Sequence, residues 1–99
     1  MHIIIWEYHV KAERTIDFEN IYASNGAWAE LFKMGTGYLG TELLYHITNP
    51  QHYLTIDRWH SKENYEGFLI QYENEYKVLD AECADLTERE SLLGIWIST

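Results

Sequence analysis

The first predicted element is a strand, because apolar and polar side chains alternate along residues 3–10. One face of this strand carries Ile4, Trp6, Tyr8 and Val10. The other face begins with isoleucine and becomes polar at Glu7 and His9. A period of two is the spacing of side chains on one face of a β-strand. Since both faces begin apolar, we expect both to be covered for part of the length of the strand.

From Thr15 the apolar spacing changes to three and four residues, which is typical of helices. The turn-forming run Ser24-Asn25-Gly26 interrupts this pattern. We therefore predict one helix from Thr15 to about Asn25 and a second, short helix over residues 27–33. A glycine-containing loop at residues 34–37 follows.

The middle of the chain predicts a β-hairpin followed by a helix. Residues 38–48 and 52–59 form its strands, and the turn between them contains Pro50. Ser61 is placed to cap the helix, which we predict to run to about Asp80, with a shorter helical segment at residues 81–86. The apolar stripe of this helix is Tyr65, Phe68, Leu69, Tyr72, Tyr76 and Leu79. After a polar connection at residues 87–90, residues 92–97 form the last strand, with Gly94 at a bulge or at a close approach of the backbone to another part of the structure.

The order of elements predicts an α+β protein with a ferredoxin-like βαββαβ arrangement, an antiparallel sheet with helices on one face. With 99 residues, we expect a single domain over residues 1–99. Hydrophobic residues make up 46% of the chain and aromatic residues 15%. Two helices cannot cover so much apolar surface, so we expect a second copy of the chain to cover the other face in a homodimer.

The charge excludes some classes of partner. A formal net charge of −9 disfavours nucleic acids and anionic membranes as partners. No apolar run approaches the ~18 residues of a membrane span, and no signal peptide is recognisable, so we expect a cytoplasmic protein. Cys83 is the only cysteine and lies among acidic residues, so neither an intrachain disulfide nor a reactive thiol is expected.

The chain resembles the antibiotic biosynthesis monooxygenase domain family over nearly its whole length. The segments that carry the resemblance are GYLGTELL at 37–44, YLTIDRW at 53–59 with Ser61, Tyr65 and Phe68, and LTERE at 86–90 before Leu93-Gly94. The resemblance implies a dimeric α+β barrel with a pocket in each subunit between sheet and helices. It also implies two known activities, because some members oxygenate aromatic polyketides or quinols without metal or flavin and others degrade haem.

Oxygenation without a cofactor has a definable chemical requirement. A phenol or quinol must become an electron-rich anion that itself reduces O₂. The protein supplies a base, an apolar pocket and hydrogen-bond donors for the anion and the developing peroxide. We therefore expect neither a cofactor nor a metal ion, and a small aromatic molecule as ligand.

The candidate site residues come partly from the resemblance and partly from the pattern. The resemblance implies that Trp59 and Tyr65 line the pocket and act in catalysis. His9 and His46 are the best candidate bases among the histidines, since each lies on a partly apolar strand face. The helix faces supply candidate pocket residues, namely Tyr22, Trp28, Phe68 and Tyr72. Packing in the core is the alternative role for each of the aromatic residues.

The histidine spacing favours neither a metal site nor haem degradation. No HxH or HxxxH pattern occurs among the five histidines. The haem-degrading branch uses a histidine of the second long helix as iron ligand, and residues 61–80 contain none. The resemblance therefore implies a cofactor-independent monooxygenase acting on a small aromatic phenol or quinol. The alternative is a non-catalytic dimeric module of the same fold that binds a small ligand or has a structural role.

Overall fold

The computed structural model describes residues 1–99 and contains one four-stranded sheet. The strands are β1 His2–Val10, β2 Tyr38–Tyr45, β3 His52–Trp59 and β4 Thr87–Ile97. Their order is β2-β3-β1-β4, and every neighbouring pair is antiparallel. The helices are α1 Thr15–Tyr22, α2 Ala27–Phe32, α3 Lys62–Gln71 and α4 Glu73–Cys83, with 3₁₀ turns at Ala12–Arg14 and Ala84–Leu86. The predicted ferredoxin-like α+β fold is confirmed.

The core lies between one face of the sheet and the helices. Along β3 the burial alternates strictly, so every second side chain from Tyr53 to Trp59 is buried. The helices contribute Phe18, Tyr22, Trp28, Phe32 and Phe68 to the same cluster. Aromatic rings meet across this layer; for example, the Trp59 and Phe68 centroids lie 5.2 Å apart. Such contacts contribute beyond the burial of area alone.

The predicted cap of the third helix is confirmed. Ser61 has extended dihedrals (φ −149°, ψ 162°), and its Oγ accepts a hydrogen bond of 3.1 Å from the backbone N–H of Asn64. The helix does not continue to Asp80, because it breaks at Tyr72 (φ −113°, ψ 30°). The break lets α3 pack Phe68 on Trp59 while α4 packs Tyr76 on Trp28.

The last strand differs from the prediction at its start. β4 begins at Thr87, so the segment predicted as a polar connection belongs to the sheet. β4 is an edge strand that the helices barely cover, so its side chains are mostly exposed. A strand without a buried face needs no alternation of apolar and polar residues, and the first residues of β4 show none. Gly94 pairs with Ile5 and Leu92 pairs with Trp6, so the extra residue of a bulge lies beside Gly94, as predicted. β2 ends at Tyr45, three residues earlier than predicted.

The second face of the sheet, called the outer face below, has no helix on it. Its apolar part consists of Ile3, Ile5, Leu44, Leu54, Ile56, Leu93 and Trp96. Leu93 and Trp96 are 51% and 56% exposed. The remainder of this face is polar, and includes Glu7 and His9. No helix has the length and apolar character needed to cross a membrane.

Candidate functional site

A pocket lies between the helix-covered face of the sheet and helices α1, α2 and α4. Its lining residues are Trp6, Tyr8, Tyr22, Trp28, Phe32, Thr41, Thr55, Asp57, Tyr76, Asp80 and Glu90. The cavity volume is about 40 Å³. Aromatic rings form most of the wall, and polar groups of β2 and β3 form one side. This combination of an apolar wall with a few convergent polar groups is typical of small-molecule sites.

Asp57 is the most buried carboxylate of the pocket. The alternation of β3 turns its side chain toward the core, and the residue is 6% exposed. Thr41 lies directly opposite on β2, and its hydroxyl donates a hydrogen bond of 2.7 Å to Oδ1. Because the Thr41 proton is used in this bond, its oxygen accepts from the Tyr38 hydroxyl at 2.6 Å. The second carboxylate oxygen, Oδ2, accepts no hydrogen bond from another side chain.

Burial changes the protonation behaviour of this group. Removal from water raises the pKa of Asp57 to about 6, while the bond from Thr41 opposes the rise. The side chain therefore passes between acid and carboxylate close to neutral pH. A group with that property is suited to take up and return a proton.

The tyrosines of the pocket wall stay protonated. Burial raises the pKa of Tyr8, Tyr22 and Tyr76 above the ordinary value of a phenol. The Tyr8 hydroxyl shares a hydrogen bond of 3.0 Å with Thr55. These side chains can donate to a ligand oxygen but cannot serve as bases near neutral pH, which leaves proton uptake to the carboxylates.

Trp28 adds an unused donor to the pocket wall. Its indole N–H is buried close to the Tyr22 hydroxyl and the Cys83 thiol, but makes a well-formed hydrogen bond to neither. A buried donor without a partner costs about 1–3 kcal/mol, which a ligand oxygen could recover. The Trp28 ring is held edge-on against Tyr76, with centroids 4.9 Å apart. The neighbouring thiol of Cys83 is buried, and burial raises its pKa, so it is no nucleophile.

Two of the predicted pocket residues, Tyr22 and Trp28, line this pocket. The other predicted aromatic residues are Trp59, Tyr65, Phe68 and Tyr72, and none of them belongs to its lining. They form a neighbouring cluster instead, in which the Trp59 ring lies 5.5 Å from Tyr65. Trp59 is 0% exposed, and its indole N–H also has no partner. Its proposed part in catalysis therefore stays a prediction.

The two histidines named as candidate bases lie away from the pocket. His9 points to the outer face, since its neighbours Tyr8 and Val10 are buried on the other side of β1. His46 is exposed beyond the end of β2 and stacks on His52 at 5.3 Å. Neither side chain lines the pocket that contains Asp57.

Sequence reasoning missed Asp57, Thr41 and Glu90. A signal for Asp57 was present, because the strand that we predicted from the alternation places it in register with Tyr53 and Trp59. A carboxylate between two core aromatics of one strand face is a buried ionisable group. No comparable signal exists for Glu90, because its segment has the polar pattern of a connection. Burial and the nearby Asp80 raise the pKa of Glu90.

Comparison with known proteins gives structural matches only. No family model and no curated protein matches the sequence. SnoaB, a cofactor-independent oxygenase from Streptomyces nogalater, matches in a mutant form with a TM-score of 0.82 and 16% identity, over 98% of this chain and 91% of that one. An inferred antibiotic biosynthesis monooxygenase from Bordetella bronchiseptica matches with a TM-score of 0.78 and 20% identity, over 99% and 96% of the two chains.

A third match, from Nitrosomonas europaea, is likewise an inferred antibiotic biosynthesis monooxygenase. It gives a TM-score of 0.75 and 16% identity, over 99% of this chain and 98% of that one. Identities this low establish a common fold and leave substrate and catalysis open. The resemblance seen in the sequence is confirmed at that level: the chain has the ferredoxin-like α+β fold of the antibiotic biosynthesis monooxygenases.

Proposed function

We propose that the protein is a cofactor-independent monooxygenase that oxidises a small aromatic phenol or quinol. The observation that supports this most is Asp57, a buried carboxylate with a pKa of about 6 in an aromatic pocket. The free Oδ2 is available to accept the hydroxyl proton of a substrate. The fold shared with SnoaB, a cofactor-independent oxygenase, agrees with the proposal.

In the proposed reaction Asp57 takes the proton of the aromatic hydroxyl. The resulting anion is electron-rich and transfers electrons to O₂, so that a ring carbon–oxygen bond forms. Asp57 returns its proton to the peroxide anion, which gives the ring hydroperoxide. Asp57 then takes the proton of the ring carbon that carries the peroxide, the O–O bond breaks, and the outer oxygen leaves as hydroxide, which takes this proton to form water. The ring carbon keeps one oxygen atom as a carbonyl. The substrate supplies all the electrons.

The donors of the wall stabilise the charge that develops. The N–H of Trp28 and the hydroxyls of Tyr8 and Tyr22 remain protonated while Asp57 changes its state. A hydrogen bond from such a preorganised donor to the oxyanion typically accelerates a reaction by about 10²–10³. We assign this role first to Trp28, because its N–H is fully buried and makes no hydrogen bond in the protein.

A second candidate function follows from the size of the pocket. A cavity of about 40 Å³ has room for one or two water molecules and not for an aromatic ring. Substrate binding therefore requires side chains at the mouth, such as the half-buried Tyr76, to move. If they do not, the protein is a non-catalytic module that binds a small ligand or has a structural role.

Oxygen uptake separates the two functions. The substrates are a panel of dihydroxynaphthalenes and anthrone-like compounds, each measured with and without protein. We expect protein-dependent uptake for at least one compound, unchanged by a chelator, and a loss of about 10²–10⁴ in Asp57→Asn. Glu63→Gln, which changes an exposed carboxylate of α3, is the matched control. No protein-dependent uptake across the panel would favour the non-catalytic module.

A further inference from the structure

The polar end of the outer face brings together three side chains with metal-binding chemistry. Glu7 and His9 are two residues apart on β1 and therefore share a face. His52 lies directly opposite His9 on β3. One ligand atom from each of these residues lies within 4.8 Å of the other two. The cluster is on the opposite side of the sheet from Asp57.

The contacts inside the cluster are close. His52 Nε2 lies 2.7 Å from Glu7 Oε2, and the His9 and His52 rings stack with centroids 4.5 Å apart. In the single chain the Glu7 and His52 side chains are 28% and 24% exposed, and they lie at the polar end of the outer face, beside the apolar area that we expect to meet a second copy. Arg89 on the neighbouring strand donates a hydrogen bond of 3.3 Å to His9 Nε2, so this nitrogen carries a lone pair.

We propose that Glu7, His9 and His52 bind a late first-row divalent metal ion, with Zn²⁺ the best fit. Two imidazoles and one carboxylate form a three-ligand set that leaves a coordination position for water or another ligand. Bonds of about 2.0–2.2 Å bring the ligand atoms of a tetrahedral site to about 3–3.5 Å from one another. Side-chain rotations that move the ligand atoms by about an ångström achieve this without a change in the strand register.

The bound ion takes the place of the hydrogen bond between His52 Nε2 and Glu7. Protons compete with a metal ion for imidazole and carboxylate ligands, so binding weakens as the pH falls. Because its ligands come from β1 and β3, the ion ties together the two central strands of the sheet. It binds the folded chain only, so it stabilises the fold by mass action. It makes no contact with the pocket and takes no part in the proposed oxygenation.

Arg89 opposes the ion in a way that can be measured. Its guanidinium donates to His9 Nε2 and places a positive charge beside the site. Metal binding requires this side chain, which is exposed, to turn away. Removal of the charge should thus strengthen binding, whereas removal of a ligand weakens it.

The test uses the full chain without a histidine tag, titrated with Zn²⁺ by calorimetry and with Co²⁺ by visible absorption. We expect one ion per chain, tetrahedral Co²⁺ bands, and a thermal midpoint that rises with Zn²⁺. His9→Gln, His52→Gln and Glu7→Gln should each weaken Zn²⁺ binding by at least about tenfold. Mutation of a residue that only supports a metal ligand already costs about 10–100-fold in affinity, and loss of a ligand should cost no less. His60→Gln, an exposed histidine beyond β3, should bind as the wild type does.

Arg89→Gln completes the set, and we expect it to bind Zn²⁺ about threefold more tightly than the wild type, because a positive charge beside the site is removed. Circular dichroism of each metal-free variant checks that the fold is intact. A wild-type Kd weaker than about 1 mM overturns the proposal. Equal affinities in the wild type and the folded ligand variants also overturn it, because the ion then binds elsewhere.

Discussion

Thr41 donates a hydrogen bond of 2.7 Å to the buried carboxylate of Asp57, across the β2–β3 pair. The protonation of Asp57 is subject to two opposite effects, its burial and this hydrogen bond. Burial of Asp57 favours the neutral acid, and the bond from Thr41 favours the carboxylate. The result is a pKa of about 6, between the value of a free carboxyl and that of a fully buried one. This balance can be tested through the pH dependence of stability and through the hydrogen bond itself.

The first prediction concerns stability against pH. The pKa of Asp57 is higher in the folded chain, at about 6, than the ordinary 3.8 of the unfolded chain. The folded state therefore binds more protons between these values. The stability that protonated Asp57 gives to the folded state is complete below pH 3.8 and is lost as the pH rises through 6. Asp57→Asn keeps an acceptor for Thr41 and removes the titration.

We expect the free energy of unfolding of Asp57→Asn, relative to the wild type, to increase by up to about 3 kcal/mol between pH 4 and pH 7. Urea unfolding of both proteins at several pH values measures this difference. The other carboxylates contribute equally to both proteins, so they cancel. A difference that does not vary with pH would show that Asp57 titrates normally.

The second prediction isolates the hydrogen bond itself. Thr41→Val has nearly the same shape but cannot donate, so the pKa of Asp57 should rise above its wild-type value. A hydrogen bond to a charged group contributes about 1.5–3 kcal/mol, which corresponds to a rise of about 1–2 pH units. Carbon-detected NMR titration of the Asp57 carboxyl measures it directly. Tyr38→Phe preserves the Thr41–Asp57 bond and should shift the titration less; an equal shift would argue against a direct role for Thr41.

The third prediction separates two tryptophans that both have an unpaired indole N–H. Trp28 lines the pocket, whereas Trp59 is enclosed in the core. Trp28→Phe should lower turnover by about 10²–10³ and, because Trp28 is also buried in the core cluster, should lower the free energy of unfolding by about 1–3 kcal/mol. Trp59→Phe should lower the free energy of unfolding by about 1–3 kcal/mol, because it leaves a cavity, and its turnover tests the catalytic role that the family resemblance implies.

Oxygen uptake and urea unfolding of both variants test this contrast. A selective loss of turnover in Trp59→Phe, with stability unchanged, would support the catalytic role that the family resemblance implies for Trp59. Unchanged turnover in Trp28→Phe would contradict the proposed role of its N–H.

The fold was predictable from the sequence because its signals are local. The alternation of β1 and β3, the Ser61 cap and the turn at Pro50 each depend on a few neighbouring residues. The errors have tertiary causes. β4 was predicted too short because an exposed edge strand needs no apolar face, and the helix break at Tyr72 reflects packing of α3 on Trp59 of the sheet and of α4 on Trp28 of helix α2.

The candidate site was less predictable because it depends on pairing between distant segments. Asp57 meets Thr41 through the β2–β3 register, and Glu7 meets His52 through the β1–β3 register. Neither pair has a spacing that a linear motif would reveal. The aromatic stripe of the third helix was recognised, but which of its rings face a cavity depends on the exact break at Tyr72.

The last prediction is that the chain is a homodimer whose subunits meet through their outer faces. Ile5 and Ile56 pair at the centre of this face, and no helix covers them. Leu93 and Trp96 extend the apolar surface along β4, and both are more than half exposed in the single chain. A monomer rarely leaves so large an apolar area in water. We expect the dimer to bury more than about 1,500 Å² in total.

Ile56→Glu should dissociate the dimer, because the two-fold axis would bring two new charges into an apolar interface. Sedimentation equilibrium at micromolar concentration should give about twice the chain mass of 11.8 kDa for the wild type and about that mass itself for the variant. Ile16→Glu is the matched control, since Ile16 lies on α1 and is already 75% exposed. It should sediment as the wild type does. A wild-type protein that sediments as a monomer would leave the outer face without a partner and contradict the prediction.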